Sequence, residues 1–113
     1  MGYVTPHDAR SPRGTWKLVE VLIDEGESPK DGPAKFSLAL GYWQDEPCLA
    51  VRWNGYEGSP VGNPQSRGLA TWFILPTDFN QPVMSLVPPE QRDITESLLK
   101  RAGGQNSIRF PRG

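Results

Sequence analysis

The side chains best suited to chemistry lie in one polar stretch near the middle of the chain. Residues 54–68, NGYEGSPVGNPQSRG, carry amide, hydroxyl and guanidinium groups that can each make several hydrogen bonds. The stretch shows no helix or strand periodicity and is longer than the about 4 to 6 residues that usually connect two elements. Polar loops held by a rigid scaffold are common binding sites. The predicted binding residues are Trp43, Arg52, Asn54, Tyr56, Asn63, Gln65, Ser66 and Arg67.

Two further interpretations of these residues stay open. The loop could be a compact structural turn whose Asn and Ser side chains bond to their own backbone. The tryptophans beside it could instead stack on nucleic-acid bases while Arg52 and Arg67 contact phosphates. We expect Trp53 and Trp72 to belong to the core and Trp43, at a predicted hairpin tip, to be exposed.

The inventory of catalytic and metal-binding groups is small. The single histidine, His7, lies in a Pro- and Gly-rich N-terminal stretch, so Cys48 has no evident base to activate it. One His and one Cys do not supply the common Cys/His zinc sites. The acidic residues between 24 and 31 do not have EF-hand spacing, and neither phosphate-binding glycine motif occurs. We therefore expect no catalytic residue, no bound metal and no cofactor.

The elements that would position the loop begin with a β-hairpin. Apolar and small residues alternate in 34–43 and 48–53, which predicts two strands joined by a turn at 44–47. If Trp43 faces Cys48, then Leu40 faces Val51 and all the bulky apolar side chains share one face. Arg52 falls on the opposite face, which we expect to be the outer one. Small residues on that face, Ala39, Gly41 and Ala50, predict that another part of the chain packs closely against it.

Strands are also predicted for 15–24 and 69–75, and a helix for 88–102. The fold class is mainly β (α+β): a small antiparallel sheet or partly open barrel of about four to five strands with one C-terminal helix. We expect residues 1–14 to be a flexible leader, 15–104 a single globular domain and 105–113 a basic tail.

Composition limits the possible classes of protein. The 113 residues suit one domain, and eleven aromatic residues can supply a core despite a hydrophobic content of 36%. A net charge of −1 argues against a general polyanion binder, although the C-terminal end is basic. A single cysteine excludes an intramolecular disulfide, and no apolar run is long enough to span a membrane. We expect a soluble cytoplasmic protein without membrane contact.

The functional hypothesis is a non-enzymatic accessory or regulatory binding module whose 54–68 loop contacts a macromolecular partner, which we expect to be a protein. The first alternative is a nucleic-acid-binding protein that uses exposed aromatic residues, Arg52, Arg67 and the basic C-terminal tail. The second alternative is a small-ligand-binding protein or enzyme.

Overall fold

The structure is a computed structural model that describes residues 3–11 and 14–106, with the backbone alone from residue 100 onward. The strands are β1 (Trp16–Asp24), β2 (Phe36–Trp43), β3 (Glu46–Trp53), β4 (Gln65–Ser66), β5 (Leu69–Ala70) and β6 (Phe73–Ile74). The helices are α1 (Asn80–Met84) and α2 (Pro89–Asn106), with short 3-10 turns at Pro6–Asp8 and Thr77–Phe79.

The main sheet is antiparallel and has the strand order β1-β2-β3-β6, while β4 and β5 form a separate small hairpin. The predicted α+β class with a small antiparallel sheet is confirmed, and the sheet does not close into a barrel. The strand predicted for 69–75 is divided into β5 and β6, because Thr71 and Trp72 leave the ladder between them.

The β2–β3 hairpin has a tighter turn than predicted. Gln44 and Asp45 have φ angles of 52° and 68°, so two residues make the turn with both backbones in the left-handed region. Leu40 therefore pairs with Leu49, a register two residues away from the prediction. Because side chains alternate with a period of two, this even shift keeps each one on its predicted face.

The bulky face of the sheet packs against the two helices. Leu38 and Leu49 are fully buried there, and Leu99 of α2 and Met84 of α1 pack onto the same cluster. The helix predicted for 88–102 is present and continues to Asn106. No helix within the described residues is both long and apolar enough to cross a membrane.

The opposite face forms a second core around two tryptophans. The rings of Trp16 and Trp72 lie 6.2 Å apart, centroid to centroid, over the small residues of β2 and β3. A side chain at Gly41 would collide with the ring of Trp16, so the predicted close approach to this face is confirmed.

Part of the predicted leader also packs on this second core. Ala9 is buried and its carbonyl accepts a hydrogen bond from Trp72 Nε1 at 2.6 Å. The Val4 amide donates to the Pro60 carbonyl at 3.0 Å. The domain boundaries at 14 and 104 stay predictions, and residues 107–113 of the predicted basic tail lie outside the described part of the chain.

Candidate functional site

Arg52 lies in the interior, where its side chain supports the 54–68 loop by hydrogen bonds to loop carbonyls. Its side chain is 3% exposed and donates hydrogen bonds to the carbonyl oxygens of Val61 and Thr71. A longer bond of 3.4 Å reaches the Pro64 carbonyl, and the guanidinium carbon lies 5.9 Å from the centroid of the Trp72 ring. Burial lowers the pKa of Arg52, and the nearby Tyr3 hydroxyl acts in the opposite direction.

The expectation that Arg52 points outward was therefore wrong. Strand parity placed it correctly on the face of Ala39 and Ala50, but that face is covered by residues 60–72 and by the N-terminal segment. A buried guanidinium must satisfy its donors within the protein, and the backbone carbonyls of Val61, Pro64 and Thr71 accept its hydrogen bonds here.

Asn54 is a second buried support of the loop. Its Nδ2 donates to the Gly26 carbonyl at 2.8 Å, and its Oδ1 accepts from Ser37 Oγ at 2.8 Å. Its carbonyl accepts from Ser28 Oγ at 2.5 Å. These bonds join the 25–35 loop to the start of the 54–68 loop, so the side chain of Asn54 faces the protein and not the solvent.

The remaining predicted residues divide between two regions. Tyr56 is half-buried and Asn63 is exposed near the end of β3, while Gln65, Ser66 and Arg67 are exposed on or beside the β4–β5 hairpin. Trp43 lies apart from them. It is half-buried against the second core and pairs with Trp16 at the C-terminal end of β2. This end of β2 is about 23 Å along the strand from Phe36.

An apolar pocket that was not predicted from the sequence lies at the end of the sheet where Phe36 pairs with Trp53. Its volume is about 600 Å³. We call it the aromatic pocket, and its described lining residues are Phe36, Val51, Arg52, Trp53, Asn63, Pro64 and Phe73.

Strand register explains the pocket. Trp53 pairs with Phe36, and Val51 pairs with Phe73, so four apolar side chains share the face that the helices cover elsewhere. Among the described residues the helices pack farther along the strands, around Leu40 and Leu49. Trp53 is consequently 54% exposed and Phe73 is 59% exposed, which makes the assignment of Trp53 to the core wrong.

A smaller cavity of about 290 Å³ lies beside the aromatic pocket, and Trp53 and Asn63 line both. Tyr56, Ser28 and Lys30 are among its other lining residues. Backbone hydrogen bonds of 2.7 and 3.0 Å between Trp53 and Asn63 fix the wall between the two spaces. The exposed acids at this end of the sheet are Asp24, Glu25, Glu27, Asp31 and Glu57, and the exposed lysines are Lys30 and Lys35.

A signal for the pocket was present in the sequence. Phe36, Trp53 and Phe73 have the parity of the buried face. The apolar stripe of the helical segment is narrow, because it consists of Ile94, Leu98, Leu99 and Ala102. Ile94, which belonged to that stripe, is itself exposed. A narrow stripe cannot cover a whole sheet face, so part of that face had to stay open.

Cys48 and the potential metal-ligating side chains are the groups that bear on catalysis and metal binding in the described part of the chain. Cys48 is buried, and burial raises the pKa of its thiol to about 12, which keeps it protonated and unreactive near neutral pH. Within residues 3–11 and 14–106, no three potential metal-ligating side chains of His, Cys, Asp or Glu come together. In comparisons with known proteins, the chain matches no protein-family model, no curated protein and no solved structure.

Proposed function

We propose that the chain is a non-enzymatic binding module, accessory or regulatory in role, that contacts a protein partner through the aromatic pocket and the adjoining 54–68 loop. The observation that carries this proposal is the pair Trp53 and Phe73, each more than half exposed at a preformed apolar cavity of about 600 Å³. Exposed apolar patches commonly mark interaction sites, and tryptophan is enriched among the residues that dominate binding energy.

The loop supports the proposal because its position is fixed before any partner arrives. Arg52 and Asn54 bond to the loop and its neighbours from the interior, so binding need not order that backbone. The exposed side chains of Asn63, Gln65 and Arg67 can then form polar contacts around the apolar centre, as the rim of a protein interface does. Arg52 and Asn54, predicted as contact residues, act in this proposal as supports.

A nucleic-acid partner is the first alternative, with Trp53 as a stacking platform. It receives less support, because the donors of Arg52 are bonded to carbonyls and the exposed acids at this end outnumber the lysines. A small ligand is the second alternative, since the cavity volume lies within the range of about 300 to 1,000 Å³ typical of ligand sites. A cytoplasmic location belongs to the main proposal and is supported by the free thiol of Cys48.

The test compares three forms of the full chain: wild type, a double variant Trp53→Ser with Phe73→Ser, and a control Leu86→Ser. Leu86 is 58% exposed, comparable to the two aromatic residues, but does not line the pocket. Each form is immobilised, exposed to host lysate and analysed by quantitative mass spectrometry. The enriched protein is then purified and titrated calorimetrically against all three forms.

We expect the wild type and Leu86→Ser to bind the same purified protein and the double variant to bind it at least about tenfold more weakly. Equal affinity for all three forms would contradict the proposal. Loss of capture after nuclease treatment would favour the nucleic-acid alternative. A ligand that raises the melting temperature of the wild type but not of the double variant would favour the small-ligand alternative.

A further inference from the structure

Two neighbouring cavities have Trp53 as a common wall. The aromatic pocket lies on one side of this residue, and the smaller cavity of about 290 Å³ lies on the other. Phe36 and Phe73 provide aromatic walls in the first cavity, and Tyr56 provides one in the second. A ligand that crosses Trp53 therefore meets aromatic surface on both sides of it.

The backbone of Trp53 is already paired, which bears on the kind of peptide that fits here. Its amide donates to the Asn63 carbonyl at 2.7 Å, and its carbonyl accepts from the Asn63 amide at 3.0 Å. An added β-strand binds through unpaired backbone groups at a sheet edge, so strand addition does not suit this position. A bound helix needs a continuous apolar groove, whereas Ser28, Lys30 and Ser59 are among the residues that line the smaller cavity.

The surface matches a third kind of peptide, an extended segment in the polyproline II conformation. Such a segment has no internal hydrogen bonds, so its carbonyls accept donors from the protein that binds it. The Asn63 amide, the Tyr56 hydroxyl and the Trp53 indole N–H are donors among the walls of the smaller cavity. Residues i and i+3 of the segment lie on the same side about 9 Å apart, which lets two prolines lie on opposite sides of one indole ring.

Carboxylates lie beside both cavities. Glu25 accepts the Phe36 amide proton at 3.0 Å at the aromatic pocket, and Glu27 accepts the Glu57 amide proton at 2.9 Å next to Tyr56. The exposed acids at this end of the sheet outnumber the exposed lysines. The local field therefore attracts a basic residue and disfavours an acidic one.

We propose that the partner presents a proline-rich segment in the polyproline II conformation with a basic residue beside the prolines. This rests on the proposed function, because it names the chemistry that the same surface recognises. One proline enters the aromatic pocket, a second lies across Trp53 near Tyr56, and the basic residue lies near Glu25 or Glu27. The segment is extended before it binds and the Trp53 wall is fixed, so little conformational entropy is lost on either side.

The first test varies the peptide and leaves the protein unchanged. Short fluorescein-labelled peptides carry prolines three positions apart, with arginine at the amino end in one and at the carboxyl end in another. Two controls replace the arginine by glutamate or the prolines by alanine. We expect at least one arginine peptide to bind the wild-type full chain in fluorescence polarisation, and both of its controls to bind at least about tenfold more weakly.

Failure of both arginine peptides to bind at about 1 mM protein would overturn the proposal. Equal binding of the alanine control would overturn it as well, and so would equal binding of the glutamate control. A folding defect cannot produce these results, because the protein is the same throughout.

The second test varies the carboxylates. Glu25→Gln combined with Glu27→Gln keeps an acceptor for each backbone amide but removes both charges. We expect this variant to bind the arginine peptide at least about threefold more weakly than wild type and to bind a glutamine version of the peptide with unchanged affinity. Glu96→Gln, an exposed position on α2, is the matched control and should change neither. An equal loss for both peptides would contradict the assigned role of the carboxylates.

The third test locates the peptide on the protein by NMR. In the ¹⁵N-labelled chain, the indole N–H signal of Trp53, identified by its absence in Trp53→Ser, should shift as the peptide is added. The indole of Trp72 is the internal control, because its Nε1 is buried and donates to the Ala9 carbonyl. Peptide binding that leaves the Trp53 signal in place would overturn the proposal.

Partner binding separates this proposal from the proposed function. If the captured protein needs Trp53 and Phe73 but the proline peptides do not bind, the proline-rich segment is refuted and the proposed function stands. The same conclusion follows if an amphipathic helical peptide of equal charge binds the pocket more tightly than the proline peptides. If the proline peptides bind at Trp53 but the captured protein binds Trp53→Ser with Phe73→Ser as tightly as wild type, the proposed function is refuted and the peptide specificity stands.

Discussion

Replacing Arg52 by methionine tests whether the buried guanidinium supports the loop, as its contacts indicate. Methionine keeps the length and the apolar stem of the side chain but removes every donor. The carbonyls of Val61 and Thr71 then lose their partner, and the contact with the Trp72 ring loses its charge. The change should therefore destabilise the fold rather than only weaken binding.

The magnitude follows from the number of bonds. Hydrogen bonds from a charged donor contribute about 1.5 to 3 kcal/mol each, so two such bonds contribute about 3 to 6 kcal/mol. Removing the guanidinium also removes its own desolvation cost, which offsets part of the loss. We expect the free energy of unfolding to fall by about 3 kcal/mol, which corresponds to a fall in Tm of about 10 to 15 °C for a chain of this size.

The assay is equilibrium urea unfolding followed by tryptophan fluorescence, with Arg67→Met as the matched control. Arg67 is exposed at the turn between β4 and β5, so its replacement should change stability by less than about 0.5 kcal/mol. Arg52→Lys should fall between the two, because one ammonium group cannot reproduce the fork that reaches two carbonyls. If Arg52→Met unfolds at the same urea concentration as wild type, the assignment of Arg52 as a support is refuted.

Two further changes test the core and the hairpin. The thiol of Cys48 has a pKa of about 12 in the folded chain and 9.0 in the unfolded chain. The unfolded chain therefore loses the thiol proton first, and the free energy of unfolding falls as the pH rises above 9. Between pH 7.5 and 10.5 the stability of wild type relative to Cys48→Ala should fall by about 2 kcal/mol in urea unfolding; a constant difference would contradict the burial of the thiol. At Asp45, with φ of 68°, glycine should be more stable than alanine by about 1 kcal/mol in thermal unfolding, and equal melting temperatures would argue against the left-handed turn.

The hairpin shows which aspects of the fold the sequence determines. Alternation in 34–43 and 48–53 was sufficient to predict both strands and the common face of Leu38, Leu40, Leu49 and Val51, whereas Trp43 lies on the opposite face. The register was wrong by two residues because the turn, Gln44-Asp45, lacks the Asn-Gly or Asp-Gly pair that usually marks a two-residue connection. The face of each side chain is set by local alternation and can be predicted from this sequence. The strand register depends on turn geometry, which this sequence does not indicate.

The candidate site, unlike the strands, could not be predicted from local sequence. Arg52 and Asn54 are polar residues beside a loop, and nothing local distinguishes a contact residue from a buried support. Their burial arises from contacts distant in sequence, namely Arg52 with the Thr71 carbonyl and Asn54 with the Gly26 carbonyl. The exposure of Trp53 likewise depends on where α2 crosses the sheet, which periodicity alone does not give.

The buried supports and the exposed pocket are coupled, and this affects how variants of the chain should be interpreted. Arg52 bonds to the carbonyls of Val61 and Pro64, which flank Asn63, and the Asn63 backbone pairs with Trp53 at the wall of the pocket. Loss of the guanidinium would release this wall, although Arg52 is only 3% exposed and offers a partner little surface of its own. Weaker partner binding by an Arg52 variant would therefore not identify Arg52 as a contact residue. Direct contact is tested by substitutions at exposed positions such as Trp53 and Phe73, provided that the substitution does not alter the stability of the chain.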